Sequence, residues 1–382
     1  MPPSNPALIS PYPGGKSGEP YEFKAVDGRW LSRVCDRPHY YDSLLLPFAG
    51  SGATAHQHST GISNVIASDI DPGVQAVWEC WHKEELRRPT ENLIVWWKKR
   101  ILDNPKAGFA QLKDVHDKRF FRMNPAAISA AYLTIKRLLF GGVLRCNQQG
   151  KLNVALSADK LNKFLRSGKK HKRQCQFTYP LFPSSDKDGT TYWGWKYQWP
   201  DNGIENLTFR HSWQDAVKAL ADSDYSNALV VIDPPYYSPQ EWVEERANGD
   251  KRKSKMTTAY RGHNPQSADE LARCVDCLNA VLATGKAGRV VVFNYWSDEL
   301  ANAITDMDWK YRYRENASMF VSQLGYLGGM NNAQKFHGRD VEAVWEIGGK
   351  RMFQDYDAIE QGSLLETSRS LGKWWETYVS EP

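Results

Sequence analysis

Asp233-Pro234-Pro235-Tyr236 places a carboxylate, two imino acids and a phenol ring directly after an apolar run, Ala228-Leu229-Val230-Val231-Ile232. Such a set can grip a planar base and accept hydrogen bonds from its amino group. The run is short, β-branched and uncharged, and reads as a buried parallel strand. Two prolines after it end the strand and hold the backbone extended. The carboxylate and the ring are therefore fixed at the carboxyl end of a strand, where open α/β sheets bind ligands.

Three other groups of residues bear on a ligand. Phe48-Ala49-Gly50-Ser51-Gly52 follows the strand-like Leu44-Leu45-Leu46. Its glycines let the backbone pass close to a ligand, although the full G-x-G-x-x-G pattern is missing. Asp69 stands 17 residues after Gly52, at the end of a second strand, Asn64 to Ala67. A carboxylate there can accept hydrogen bonds from ribose hydroxyls. Asp71 competes for that role, but before Pro72 it fits better as a helix N-cap. The third group is Pro11-Tyr12-Pro13-Gly14-Gly15-Lys16-Ser17. A phosphate-binding P-loop is excluded, because Ser10 stands where the first glycine is required and no strand precedes it.

The elements that position these residues alternate between strand and helix. Helical patterns fit Gly73 to Arg88, Glu91 to Asp103 and Pro125 to Leu139; strands fit Arg289 to Phe293 and Val341 to Ile347, with Tyr311 to Val321 a candidate to pair with the last. The alternation argues for a doubly wound, mostly parallel α/β sheet. Residues 141–212 break the rhythm, carrying a Lys/Arg cluster and then the aromatic run Tyr192, Trp193, Trp195, Tyr197 and Trp199. The expected organisation is 1–140 as the first part of a catalytic domain, 141–212 as an inserted recognition region, 213–350 as the second part, and 351–382 as a tail. The aromatic run suits either stacking on splayed bases or the core of a small subdomain.

Charge supports a nucleic-acid partner. Eleven Lys/Arg and one acidic residue, Asp159, lie between Lys136 and Cys175, leaving 38 basic and 43 acidic residues elsewhere. A concentrated basic patch on a mildly acidic body is an electrostatic footprint for nucleic acid. No apolar stretch reaches the roughly 18 residues of a membrane span. Met1 to Pro13 shows no basic-then-apolar pattern, so a cytoplasmic, DNA-associated protein is expected. Six cysteines do not make a disulfide scaffold at this length. Cys274 and Cys277 form a CxxC without a second pair at zinc spacing, so helix packing is expected and no metal.

Taken in order, these motifs resemble those of the Dam-type N(6)-adenine-specific DNA methyltransferases. Pro11 to Lys16 resembles the N-terminal motif of that family, Pro47 to Gly52 its glycine-rich cofactor motif, and Asp69-Ile70-Asp71 its acidic motif. Phe140 to Asn147 with Gly150 to Val154 resembles a further family segment, Asp233 to Tyr237 the catalytic motif, and Thr258-Ala259-Tyr260 the segment after it. The resemblance covers roughly residues 8 to 350, and Phe164 to Asn206 matches no family pattern.

The resemblance implies a Rossmann-like domain that binds S-adenosylmethionine and methylates the 6-amino group of adenine in double-stranded DNA, with the target base flipped out. It implies Asp233, Pro234, Pro235 and Tyr236 as catalytic residues. Tyr12, Lys16, Phe48, Gly50, Gly52, Asp69 and Asp233 would contact the cofactor. Arg145, Asn147 and Gln148 would read DNA, and Lys169, Lys170, Lys172 and Arg173 would neutralise phosphates. A restriction endonuclease partner is left open. Two alternatives stay compatible with the residues: a cytosine 4-amino or RNA amino-methyltransferase, and a DNA-binding relative without catalysis.

Overall fold

A computed structural model of the chain describes residues 23–24, 30–31, 41–50, 52, 62–118, 123–139, 144, 151–153, 155–156, 177–178, 184–185, 191–192, 196–197, 204–235, 268–295, 297–305, 318–324 and 342–348. Its centre is a seven-stranded sheet. In chain order the strands are β1 (Ser43–Leu46), β2 (Asn64–Ser68), β3 (Asn206–Arg210), β4 (Ala228–Ile232), β5 (Ala287–Tyr295), β6 (Ser318–Leu324) and β7 (Glu342–Gly348). The spatial order is 3-2-1-4-5-7-6. Strands β3, β2, β1, β4 and β5 pair in parallel. Only β7 is reversed; it lies antiparallel between β5 and β6.

Strand order reverses between β1 and β4. From β1 the chain winds outward through β2 and β3, then returns to the other side of β1 to lay down β4 and β5. That crevice, outside the carboxyl ends of the strands, is where a doubly wound sheet receives its ligand.

Both sheet faces are covered, which is why β1 and β4 read as continuous apolar runs. Leu44, Leu46, Leu229 and Val231 face one core, and Leu45, Val230 and Ile232 face the other. Every residue of β4 is buried. Burying each of its larger aliphatic side chains contributes about 1.5–3 kcal/mol. A charge placed at Val230 or Val231 would therefore be expected to collapse the strand that carries Asp233.

The first core is roofed by helices from the β2–β3 connection: α1 (Pro72–His82), α2 (Glu84–Asp103), α3 (Pro105–Lys118) and α4 (Pro125–Leu138). The single helix expected from Gly73 to Arg88 is two helices. Lys83 is extended, at φ −91° and ψ 107°, and the Arg87 guanidinium covers the freed carbonyl of Trp81 at 2.6 Å. The helix expected from Glu91 begins earlier, at Glu84, and α3 was not expected at all. Helix α1 approaches α4 closely: a Cβ on Gly73 would sit 2.0 Å from the Tyr132 ring. The second core is roofed by α5 (Trp213–Asp222), α6 (Ala268–Ala283) and α7 (Asp298–Thr305).

Residues expected in the 141–212 insertion include β3, the edge strand of the main sheet. Within the rest, Phe177–Thr178 pairs antiparallel with Lys196–Tyr197, and Ser184–Ser185 pairs with Thr191–Tyr192. Part of the aromatic run therefore lies on two nested ribbons. Strand β7 pairs with β6 at 318–324, so the partner strand sits C-terminal to the centre of the expected Tyr311 to Val321.

Candidate functional site

The site is a row of strand ends. Across the carboxyl edge of the sheet stand Asp233 after β4, Phe48 to Gly50 and Gly52 after β1, Asp69 to Asp71 after β2, and His211 after β3.

The turn after β1 favours glycine at two positions. Gly50 has φ 50° and Gly52 has φ 73°, the left-handed region that a Cβ disfavours. The turn is strapped to the end of β2. Ala49 N–H donates to Ser68 O at 2.8 Å, Ser68 Oγ donates to Pro47 O at 2.6 Å, and Gly50 N–H donates to Asp69 Oδ2 at 3.0 Å. From α1, Trp78 Nε1 donates to Gly50 O at 3.2 Å.

Asp69 is buried and takes a second bond, from Asp71 N–H to Oδ1 at 2.9 Å. A carboxylate oxygen has two lone pairs, so each oxygen retains one for another donor. Burial and the neighbouring Asp71 push the Asp69 carboxyl up to about 7; the two backbone N–H groups and the Lys136 ammonium oppose that rise without cancelling it. Asp71 caps α1, accepting from Gly73 N–H at 2.7 Å, with Pro72 in the first turn. The two carboxylates thus divide their work: Asp71 terminates a helix, and Asp69 joins two strand ends.

Ile70 lies between them with 73% of its side chain exposed. With Trp96 it is one of two large hydrophobic residues exposed among the described residues. An exposed isoleucine flanked by two buried carboxylates is an apolar surface beside hydrogen-bond acceptors. The sequence places Ile70 only within the Asp69-Ile70-Asp71 motif after the strand, where nothing in its type or spacing gives it a role of its own.

At the β4 end, Pro234 is buried, while Asp233 and Pro235 are half-buried. Behind Asp233 lie Cys274 of α6 and the fully buried Asn294 of β5. Burial pushes the Cys274 thiol up to about 12; Asp233 adds to the rise, and a hydrogen bond with Asn294 opposes it. Cys277 is buried and pushed well above the usual thiol value. Thiols held protonated in a core are inert as nucleophiles and ligands, which fits the packing expected of this CxxC. Among the described residues, no group of three or more His, Cys, Asp or Glu side chains could hold a metal. Nor is any described helix long and apolar enough to cross a membrane.

Seven residues expected in the site therefore line one edge: Asp233, Pro234, Pro235, Phe48, Gly50, Gly52 and Asp69. Tyr236, Tyr12, Lys16, Arg145, Asn147, Gln148, Lys169, Lys170, Lys172 and Arg173 lie outside the described residues.

Residues 29–176 match the family model described as D12 class N6 adenine-specific DNA methyltransferase. The matched stretch takes in β1, the glycine turn, Asp69 and α1 to α4; Asp233 lies beyond it. No curated protein matches the chain. Residues 29–176 thus match a domain of this family, and the activity that the family's description names is methylation of adenine N6 in DNA. Methyltransferases of this kind in general draw the methyl group from S-adenosylmethionine.

Proposed function

Starting from that domain, we propose that the carboxyl edge of the sheet is the active site, with cofactor on the β1–β2 side and a flipped adenine at β4. One observation carries the reading: two acidic residues, Asp69 and Asp233, sit at strand ends on either side of the glycine turn, at the point where strand order reverses. The residues present suit an adenosine-bearing cofactor. Asp69 keeps lone pairs for a ribose diol, Ile70 offers an apolar face to a purine, and the positive-φ glycines let the backbone come close.

The bound cofactor supplies a methyl group activated on a sulfonium. The remaining work falls to the chain. Adenine's exocyclic nitrogen is a poor nucleophile, because its lone pair is delocalised into the ring. Asp233 and the Pro234 carbonyl each accept one N–H from that amine. Two acceptors draw the nitrogen toward tetrahedral geometry and stabilise the positive charge that develops on it. The stiff Pro-Pro segment keeps the pair aimed during the step. Tyr236 stacks on the base, which has left the duplex because the amine cannot be reached inside it. Phe48 and Gly52 complete the cofactor side with Tyr12 and Lys16. Arg145, Asn147 and Gln148 read bases, and Lys169, Lys170, Lys172 and Arg173 hold phosphates.

The test uses labelled S-adenosylmethionine and mixed-sequence duplex DNA, followed by digestion to nucleosides. Label is expected in 6-methyladenine and absent with Asp233→Ala. Label in 4-methylcytosine, or only when RNA is supplied, would overturn the substrate assignment.

A further inference from the structure

Gln75 and His211 are 136 residues apart in sequence and meet beside the site. Gln75, on the first turns of α1, donates from Nε2 to the backbone carbonyl of Asp69 at 2.6 Å. A carbonyl only accepts, so the amide is fixed with its nitrogen toward Asp69 and its oxygen away. That oxygen, Oε1, lies 2.7 Å from Nδ1 of His211, an exposed residue at the end of β3. Since Oε1 accepts, Nδ1 carries the proton. The chain of donors runs one way, from His211 through Gln75 to Asp69.

The carbonyl it ends on belongs to the Asp69–Ile70 peptide. Holding that oxygen fixes the plane of the peptide, and the plane sets where the Ile70 side chain projects. The Asp69 carboxylate is fixed separately, by Gly50 and Asp71 N–H. The Asp71 bond closes a turn around the Asp69–Ile70 peptide but leaves its carbonyl oxygen without a donor from within the turn, and Gln75 supplies that donor. We propose that Gln75 and His211 are positioning residues that pre-set the Asp69–Ile70 corner for the adenosine end of the cofactor. They thereby govern cofactor affinity, not methyl transfer. The inference rests on the reading that this corner receives S-adenosylmethionine.

A peptide held by the turn alone keeps more freedom to be ordered when the ligand arrives, and that ordering is subtracted from affinity. Loss of one net hydrogen bond of this kind corresponds to roughly threefold to tenfold in affinity. The experiment is calorimetric titration of the full chain with S-adenosylhomocysteine, alongside steady-state kinetics and melting of ligand-free protein. His211→Ala and Gln75→Met are expected to weaken binding and raise the cofactor KM by that factor, leaving kcat within about twofold. His211→Asn is expected to restore affinity, because the asparagine nitrogen occupies nearly the place of Nδ1. The melting temperature should stay put in the His211 variants, since the residue is exposed.

Unchanged affinity in His211→Ala would overturn the proposal. So would equal losses in His211→Ala and His211→Asn with a lowered melting temperature, the mark of a merely structural role. A wild-type chain that binds no S-adenosylhomocysteine would instead overturn the cofactor reading itself.

Discussion

At the β1–β2 end of the site a carboxylate is held by hydrogen bonds; at the β4 end a carboxylate is held by covalent stiffness. Asp69 is buried, with one backbone N–H on each oxygen and further bonds tying the adjoining turn to β2 and α1. Asp233 is half-buried, followed by two prolines, with a protonated thiol and a buried amide behind it. The difference matches the two tasks proposed for these ends. A cofactor site gains from many weak restraints that together pre-form a cradle. A group that must face a reacting nitrogen gains from a backbone that cannot turn away while its side chain stays accessible.

The sharpest way to break this comparison is at Asp233. Removing an acceptor aimed at developing charge costs about 10²–10³ in turnover. Asp233→Ala is expected to lose at least that much kcat while keeping most of its affinity for duplex DNA, measured by filter binding. A comparable loss of DNA affinity would mean that the β4 corner is a binding element, not a catalytic one.

The hydrogen-bonded end should fail differently. Asp69→Asn turns one oxygen into a donor that faces a backbone N–H, leaving a buried group unmatched at a cost of about 1–3 kcal/mol. Urea denaturation of wild type and variant at pH 5 and pH 8 separates this cost from that of the charge. The native carboxyl is held at about 7, above its ordinary 3.8. Between those values the folded state binds more protons than the unfolded one, so the group's contribution falls as pH rises and is flat above 7. The slope is at most about 1.4 kcal/mol per pH unit. The Asn variant lacks that slope, so the stability gap between the two proteins should narrow from pH 5 to pH 8.

Ligand binding should carry the opposite sign. A ribose diol donates to the charged carboxylate, so S-adenosylhomocysteine should bind more tightly as pH rises through 7, with release of a proton. The release is read from how the calorimetric heat varies with buffer ionisation. A pH-independent affinity would remove Asp69 from the contact. The smallest effect belongs to Asp71, whose bond to Gly73 N–H is an ordinary helix cap. Asp71→Ala should cost about 1 kcal/mol in thermal or urea unfolding.

Much of this site was legible in the sequence, for local reasons. Buried strands β1, β2 and β4 are short apolar runs that end in glycine, aspartate or proline, and Asp71 before Pro72 announced its cap. What sequence hid was either weakly patterned or remote. Strand β3, Asn-Leu-Thr-Phe-Arg, is an edge strand with partly exposed side chains, so no apolar run marked it off from residues 141–212. The stop at Lys83 leaves no glycine or proline behind, because Arg87 satisfies the helix end from the next helix. Ile70 is only an apolar residue between two aspartates in the sequence, and its exposure follows from the turn imposed by the hydrogen bond between Asp69 and Asp71. The link between Gln75 and His211 needs β3 beside β2, which only the folded sheet supplies.

The last strand of the sheet also constrains how the protein is made. Because β7 slots between β5 and β6, a nascent chain that has emerged only as far as residue 341 leaves β6 without its sheet partner and β5 paired on its β4 side alone. The ribosome must deliver Glu342 to Gly348 before that half of the sheet can zip shut, so a stop codon placed just upstream should yield a product that chaperones retain and proteases clear.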